Sequence, residues 1–364
     1  MNLSPQNNTR LPNLDASRFL AFIPVFLSHV FVSTNPELQN ATWFVYFKAA
    51  CDKGLLGLDY FFVLSAFLIT WLALHEKKKW GDFSSIAFFL RRILRTWPLY
   101  FFIVLLGFSL KMFYSPIIHS LPVWQWWISF SVNLFITENG LEFLFFMVVL
   151  WSIAVEEQFY FLWGFIMEAP SVFLPLASIL LIIVSLIFRF NALEDDNMLY
   201  FHSLSLGGNF GIGALLAWFS FHHPEKIISK NLVRVVYLLL LISILAYAYI
   251  FSNPTMIVFE RLWFSLCFAV LIFDWAFNKQ PFIQPGNYNL LNQLGKISLG
   301  LYLYHAVVIT FFSYFNYRFD WSENPLQVLL INPLIILLLT VFIAALSYKY
   351  FETPFLNLRK RFIV

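Results

Sequence analysis

The sequence predicts an all-α membrane protein, a bundle of about ten transmembrane helices with both termini on the cytoplasmic side. Three observations predict it. Of 364 residues, 60% are hydrophobic and only 12% are charged, against about 25% in an ordinary soluble domain. The apolar residues come in long continuous runs rather than the alternating segments of about 10 residues that build a membrane barrel. The Lys and Arg residues fall mostly in alternate loops. A soluble chain with so few charges could not cover this apolar surface. Disorder, collagen and a coiled coil are excluded by the same composition.

A helix crossing the hydrocarbon core needs roughly 20 mostly apolar residues. Ten stretches fit: 18–36, 55–74, 93–113, 146–167, 172–190, 199–219, 232–250, 256–276, 294–315 and 326–350. The first follows a polar start, MNLSPQNNTRLPNLDAS, with no signal-peptide core. The second closes on Lys77, Lys78 and Lys79, and the third opens behind Arg91, Arg92 and Arg95. The fifth and sixth flank the acidic loop NALEDDNM, and the sixth holds the small-residue string LSLGGNFGIGALLAWF, which reads as close helix packing. The last runs into the basic end LRKRF. The aromatic stretch 121–137 reads as an interfacial or re-entrant helix, because an eleventh crossing would upset the charge pattern. With the N-terminus inside, 17 of the 23 Lys and Arg lie on the inner side, Arg10 among them. Only Lys48, Lys53, Lys111, Arg189, Arg261 and Arg318 lie outside, as the positive-inside rule requires. Short loops leave residues 1–364 as a single membrane domain, with the lipid bilayer as its first partner. The net charge of +3 gives no nucleic-acid footprint. Cys51 and Cys267 have neither metal-type nor disulfide spacing.

Ionisable residues inside a membrane are costly and are functional candidates by default. Arg18 and His29 lie eleven residues apart on the first helix. Eleven steps of 100° return to one face with a rise of roughly 16 Å. A snorkelling Arg and an unrelated packed His is the competing reading. Glu156 and Glu157 lie inside LWSIAVEEQFYFLW. Adjacent residues differ by about 100°, so at most one of them points squarely inward. Asp59, in GLLGLDYFFVLSAFLIT, sits where a helix dipole would itself favour a carboxylate. His305, in LYLYHAVV, reads first as a hydrogen-bonded core histidine and second as a base. Arg92 and Arg95 are one turn apart at the start of a helix, and two forked guanidinium groups there suit phosphate. No Walker loop, GxSxG elbow, HExxH or dinucleotide fingerprint is present, and no metal site is expected.

The polar residues and their surroundings resemble the bacterial acyltransferase-3 family of integral membrane O-acyltransferases. NLDASRFLAFIPVFLSH resembles its opening helix, with Arg, ten residues, then His. GLDYFFVLSAFLIT, RRILRTWPLYFF and LWSIAVEEQFYFLW resemble its next segments, and LGKISLGLYLYHAVV and SYKYFETPFLNLRKRF its last two helices. The order is kept along essentially the whole chain. Ala66, Phe19 and Gly164 depart from the family pattern at packing positions, and the esterase-like extra domain of some members is not expected. The resemblance implies a place in the inner (cytoplasmic) membrane and transfer of an acyl group from cytoplasmic acyl-CoA, usually acetyl-CoA, to a hydroxyl of an envelope glycan or glycolipid.

The residues suit that chemistry. Arg18, Arg92 and Arg95 form a basic mouth for the nucleotide head of coenzyme A, and the Arg18–His29 face can pass its arm. His29 can take the hydroxyl proton, while Glu156, Glu157 or Asp59 could orient it and stabilise the imidazolium. A transient acyl-histidine is a variant of the same chemistry. A transporter or flippase for an envelope precursor is the competing class, using the same charges to hold cargo.

Overall fold

The computed structural model describes residues 11–33, 35–113, 121–141, 145–251, 253–319 and 324–362. Arg10, counted with the inner charges, lies outside the described residues. Among the described residues there is no strand. Ten long helices carry the fold: α1 (Pro12–Val30), α2 (Leu56–Trp80), α3 (Ser85–Phe113), α4 (Leu150–Ile166), α5 (Leu174–Asn191), α6 (Ser203–His222), α7 (Lys230–Leu245), α8 (Pro254–Phe277), α9 (Ser298–Arg318) and α10 (Asn332–Ser347). The protein is thus the all-α, multi-pass membrane bundle that the composition predicts.

Eight of the described helices are long and apolar enough to cross a membrane. The expected crossings at 18–36 and 232–250 correspond to α1 and α7, which are not among those eight. Helix α1 starts earlier, with a proline in its first turn, and carries Asp15, Arg18 and His29 within 19 residues. Helix α7 has 16 residues and stops at Ala246, before a one-turn helix at Tyr247–Ile250. Helix α2 runs six residues beyond its expected end, because the Lys77–Lys79 run stays helical until Gly81 caps it with φ +83°. Basic side chains in a last turn complement the helix dipole.

The aromatic stretch forms two short helices, Trp124–Ile128 and Val132–Asn139. Neither is long enough to span, since a crossing needs roughly 20 residues. Both dock on the bundle. Tyr100 Oη donates to the Trp127 carbonyl at 3.1 Å. Gln158 Nε2 donates to Asn133 Oδ1 at 2.9 Å and to the Phe130 carbonyl at 2.6 Å. Backbone groups at a helix break thereby find partners without water.

The small-residue helix α6 is the centre of one half of the bundle, packed along both α5 and α2. A Cβ on Gly213 would lie 2.2 Å from the Val63 carbonyl oxygen of α2. On another face of α6, a Cβ on Gly211 would lie 2.6 Å from the Ser178 carbonyl oxygen of α5. Small residues let the three backbones approach this closely, and close contact is the main adhesive between helices in lipid. On the other side of α2, helices α1, α3, α4 and α9 surround a cavity.

This packing sets an expected outcome. Gly213→Val should destabilise the solubilised protein by about 3 kcal/mol or more, the upper part of the range for overpacking. Gly81→Ala has open space at the added Cβ and should cost only the left-handed backbone penalty of about 1–2 kcal/mol. Thermal unfolding of both variants in detergent checks the order. Equal losses would mean that the α2–α6 contact can yield.

Candidate active site

The charges divide into two kinds, those already paired and those gathered around a cavity. Asp59 is paired. It is 3% exposed, forms an ion pair with Arg261 of α8 and accepts a hydrogen bond from Asn209 of α6. Arg189, at the end of α5, donates to the Val258 carbonyl at 3.0 Å and to Ser205 Oγ at 2.9 Å, with Glu260 at 3.7 Å. Arg189 and Arg261 therefore hold α5, α6 and α8 to α2. Arg91 is also committed, to Glu76 at 2.7 Å and the Phe362 carbonyl at 2.9 Å.

The second kind surrounds a cavity of about 420 Å³ between α1, α2, α3, α4 and α9, within the ~300–1,000 Å³ usual for small-molecule sites. Arg18, Arg92 and Arg95 all line it, and so does Arg359 from the short helix Thr353–Arg359. Four guanidinium groups face two carboxylates, Asp15 and Glu156. Asp15 holds Arg18 at 3.0 Å. Arg92 lies 5.4 Å from the centre of the Tyr160 ring, and its Nε is buried with no hydrogen-bond partner among the described residues. The positive charge in this pocket exceeds the negative, an electrostatic setting that favours anions, and forked guanidinium groups match phosphate in geometry. Apolar side chains also line it, including Leu58, Phe61, Phe62 and Ile153, together with Ser152 and Tyr302.

The two glutamates part as helical geometry demands. Glu156 lines the cavity and accepts a hydrogen bond from Tyr160 Oη at 2.9 Å. Glu157 turns to α3 and accepts from Trp97 Nε1 at 3.0 Å, while its other oxygen is buried without a partner among the described residues.

His29 does not line this cavity. Its Nδ1 lies 3.0 Å from Nε2 of His305. His305 is completely buried, and its Nδ1 is hydrogen-bonded to the Tyr302 carbonyl. Phe145 stands 5.1 Å from the His29 ring, and Phe22 stands 5.7 Å from the His305 ring. Lys48, from the short helix Thr42–Asp52, donates to the Ser28 carbonyl beside His29 at 2.8 Å. The hydrogen-bonded partner of His29 is thus an imidazole, while Glu156, Glu157 and Asp59 are engaged elsewhere. A much smaller opening of about 20 Å³ follows at the far end of α1, lined by Val30 and Val32 together with Ile309, Asn316 and Asn332. Along α9 the order is Tyr302 in the large cavity, His305 against His29, then Ile309 and Asn316 at the small opening.

The family of acyltransferase domains matches residues 11–349. The chain belongs to the acyltransferase-3 family. The match takes in all ten long helices and stops before Thr353–Arg359, so Arg359 lies beyond it. The O-acetyltransferase OatA of Staphylococcus aureus strain NCTC 8325 / PS 47 is 27% identical over 373 residues, covering 94% of this chain and 57% of its own length. The protein of the same name from strain MRSA252 matches to the same extent. This chain thus spans little more than half the length of these curated relatives. No solved structure matches.

Arg359, Ser152, Tyr160 and Tyr302 escaped the sequence reading as cavity residues. Arg359 looks like any topological charge near a chain end, and Tyr and Ser inside apolar runs look like packing. A one-turn offset such as Glu156 to Tyr160 was the one local signal available.

Removing one partner of a buried ion pair leaves the other charge stranded, at a cost of about 3–5 kcal/mol. Asp59→Ala should therefore lower the melting temperature sharply, whereas Glu156→Gln, which keeps a hydrogen-bond acceptor for Tyr160, should barely change it. Comparable melting of the two variants would overturn the division into structural and cavity carboxylates.

Proposed function

We propose that this acyltransferase-3 chain is an O-acyltransferase of the inner membrane, moving an acetyl group from cytoplasmic acetyl-CoA to a hydroxyl of an envelope glycan or glycolipid. The observation that carries the reading is the convergence of Arg18, Arg92, Arg95 and Arg359 on one cavity whose remaining walls are largely apolar. Coenzyme A has the matching shape and charge, a polyphosphate head and a thin arm ending in a thioester. The O-acetyltransferase names of the relatives support the transferred group and the acceptor atom.

In this reading the arginines hold the phosphates at the mouth, and the arm runs past Glu156 toward Ser152 and Tyr302. The acceptor approaches from the small opening near Val32 and Asn316. His29, between the two, takes the proton from the acceptor hydroxyl as its oxygen attacks the thioester carbonyl. The C–O bond forms and the C–S bond breaks. The proton on His29 then passes to the departing thiolate, so the products are an ester and free coenzyme A. A positioned general base contributes typically 10²–10⁴-fold. Lys48, ion-paired with Asp52, braces the same end of α1 through the Ser28 carbonyl.

Two measurements test the reading. Arg92→Ala, Arg95→Ala and Arg359→Ala should each weaken coenzyme A binding to the purified protein about tenfold or more, since each charge-assisted contact is worth about 1.5–3 kcal/mol. Unchanged affinity in all three would return these arginines to topology alone. His29→Ala and His29→Gln should lower acetyl transfer at least about a hundredfold, with coenzyme A binding preserved. Gln fails because an amide cannot take up the proton. Comparing envelope glycans from wild-type and deletion strains identifies the acceptor. Near-normal transfer by either His29 variant would remove it from the chemistry.

A further inference from the structure

His29 and His305 come from helices at opposite ends of the chain, yet their rings meet nitrogen to nitrogen. The planes are within 17° of each other and the centroids are 5.3 Å apart. That separation is what the 3.0 Å nitrogen gap plus one ring radius at each end amounts to, so the rings lie edge to edge. Lone pair and N–H then point along one line, the best geometry for a hydrogen bond.

We propose that His305 is a positioning residue that holds His29 as the tautomer with a proton on Nδ1 and a bare Nε2. The proposal deepens the function proposed above and rests on His29 acting there as the base. The Tyr302 carbonyl fixes the first proton. A carbonyl only accepts, so Nδ1 of His305 carries a proton. Neither nitrogen of His305 has a carboxylate partner, and the ring is fully covered by protein. A charge buried there without an opposite charge beside it would be costly, so the imidazole is neutral and its Nε2 is bare. That nitrogen accepts from His29, which places the His29 proton on Nδ1. In a neutral ring the other nitrogen, Nε2, is then the base.

The chain of constraint therefore runs from a backbone carbonyl on α9 through His305 to the reacting nitrogen of His29. It does the orienting work that a carboxylate does in a Ser-His-Asp triad. It differs in one respect. His305 offers no full negative charge, so it selects the tautomer and the ring angle more than it stabilises an imidazolium. When His29 Nε2 accepts the hydroxyl proton, the Nδ1–H bond to His305 is kept. The proton leaves again from Nε2 to the thiolate, and both histidines return to their starting tautomers. The edges of Phe22 and Phe26, 5.7 and 6.4 Å from the His305 ring, keep it from rotating out of this line.

The test uses the full chain, labelled with nitrogen-15 histidine and reconstituted in bilayers. Solid-state NMR reads which ring nitrogen carries a proton, and the signals are assigned by difference with His29→Ala and His305→Leu. The expected native spectrum shows both rings protonated at Nδ1 and bare at Nε2. His305→Leu should leave His29 in a mixture of tautomers. It should also lower kcat for acetyl transfer at least about tenfold, with KM for acetyl-CoA within about twofold, because His305 does not line the large cavity. His305→Gln, whose side-chain oxygen can accept from Nδ1–H, should restore the single tautomer and most of kcat. A native spectrum with the His29 proton on Nε2 overturns the proposal, as does an unchanged tautomer and kcat in His305→Leu. Should the native protein fail to consume acetyl-CoA, the proposed function falls, and the native spectrum still decides the tautomer.

Discussion

Hydrocarbon cannot solvate a charge, and the rest of this structure follows from that constraint. Asp59 and Arg261 meet across α2 and α8, and Asn209 completes the pair from α6. Arg189 reaches carbonyls and a hydroxyl as well as Glu260. A pair of this kind adds little net stability over an apolar contact, but breaking one partner away is expensive. Its effect is to specify which helices touch. Once these charges are committed to one another, the four arginines around the cavity stand out as a separate group.

Close backbone approach recurs across the bundle. Glycines on α6 bring three backbones together, and on the cavity side a Cβ on Gly57 of α2 would lie 2.5 Å from the Ala21 carbonyl oxygen of α1. Polar bridges hold α4 to its neighbours, Trp163 Nε1 to Thr70 Oγ1 of α2 at 2.8 Å and Ser152 Oγ to Tyr302 Oη of α9 at 2.8 Å. Past the wide π-helical turn at Tyr348–Glu352, Thr353–Arg359 packs on α3, and Arg359 lines the cavity with Arg92 and Arg95. Wide turns of this sort recur at functional sites.

The site was legible where its signal was a charge in an apolar run. Arg18, Arg92, Arg95 and Glu156 announce themselves that way, and all four line one cavity. Asp59 announces itself equally loudly, yet its partner is Arg261, 202 residues away. Local sequence carries no mark of such pairing. The choice between Glu156 and Glu157 also depended on how α4 is rotated against α3, which a 100° offset poses but does not answer. His305 read as a core histidine, and it is one: fully buried and hydrogen-bonded at both nitrogens. What the residue type could not convey is that one of those nitrogens faces His29.

The sequence by itself determined the class of protein, its order of apolar helices and the set of costly polar groups. These follow from composition and spacing, because transfer into lipid is decided segment by segment. Only the tertiary structure decided which of those groups neutralise one another and which stay available to a ligand. That choice rests on contacts between residues far apart in the chain, since a buried charge or imidazole takes its role from the nearest donor or acceptor that packing supplies.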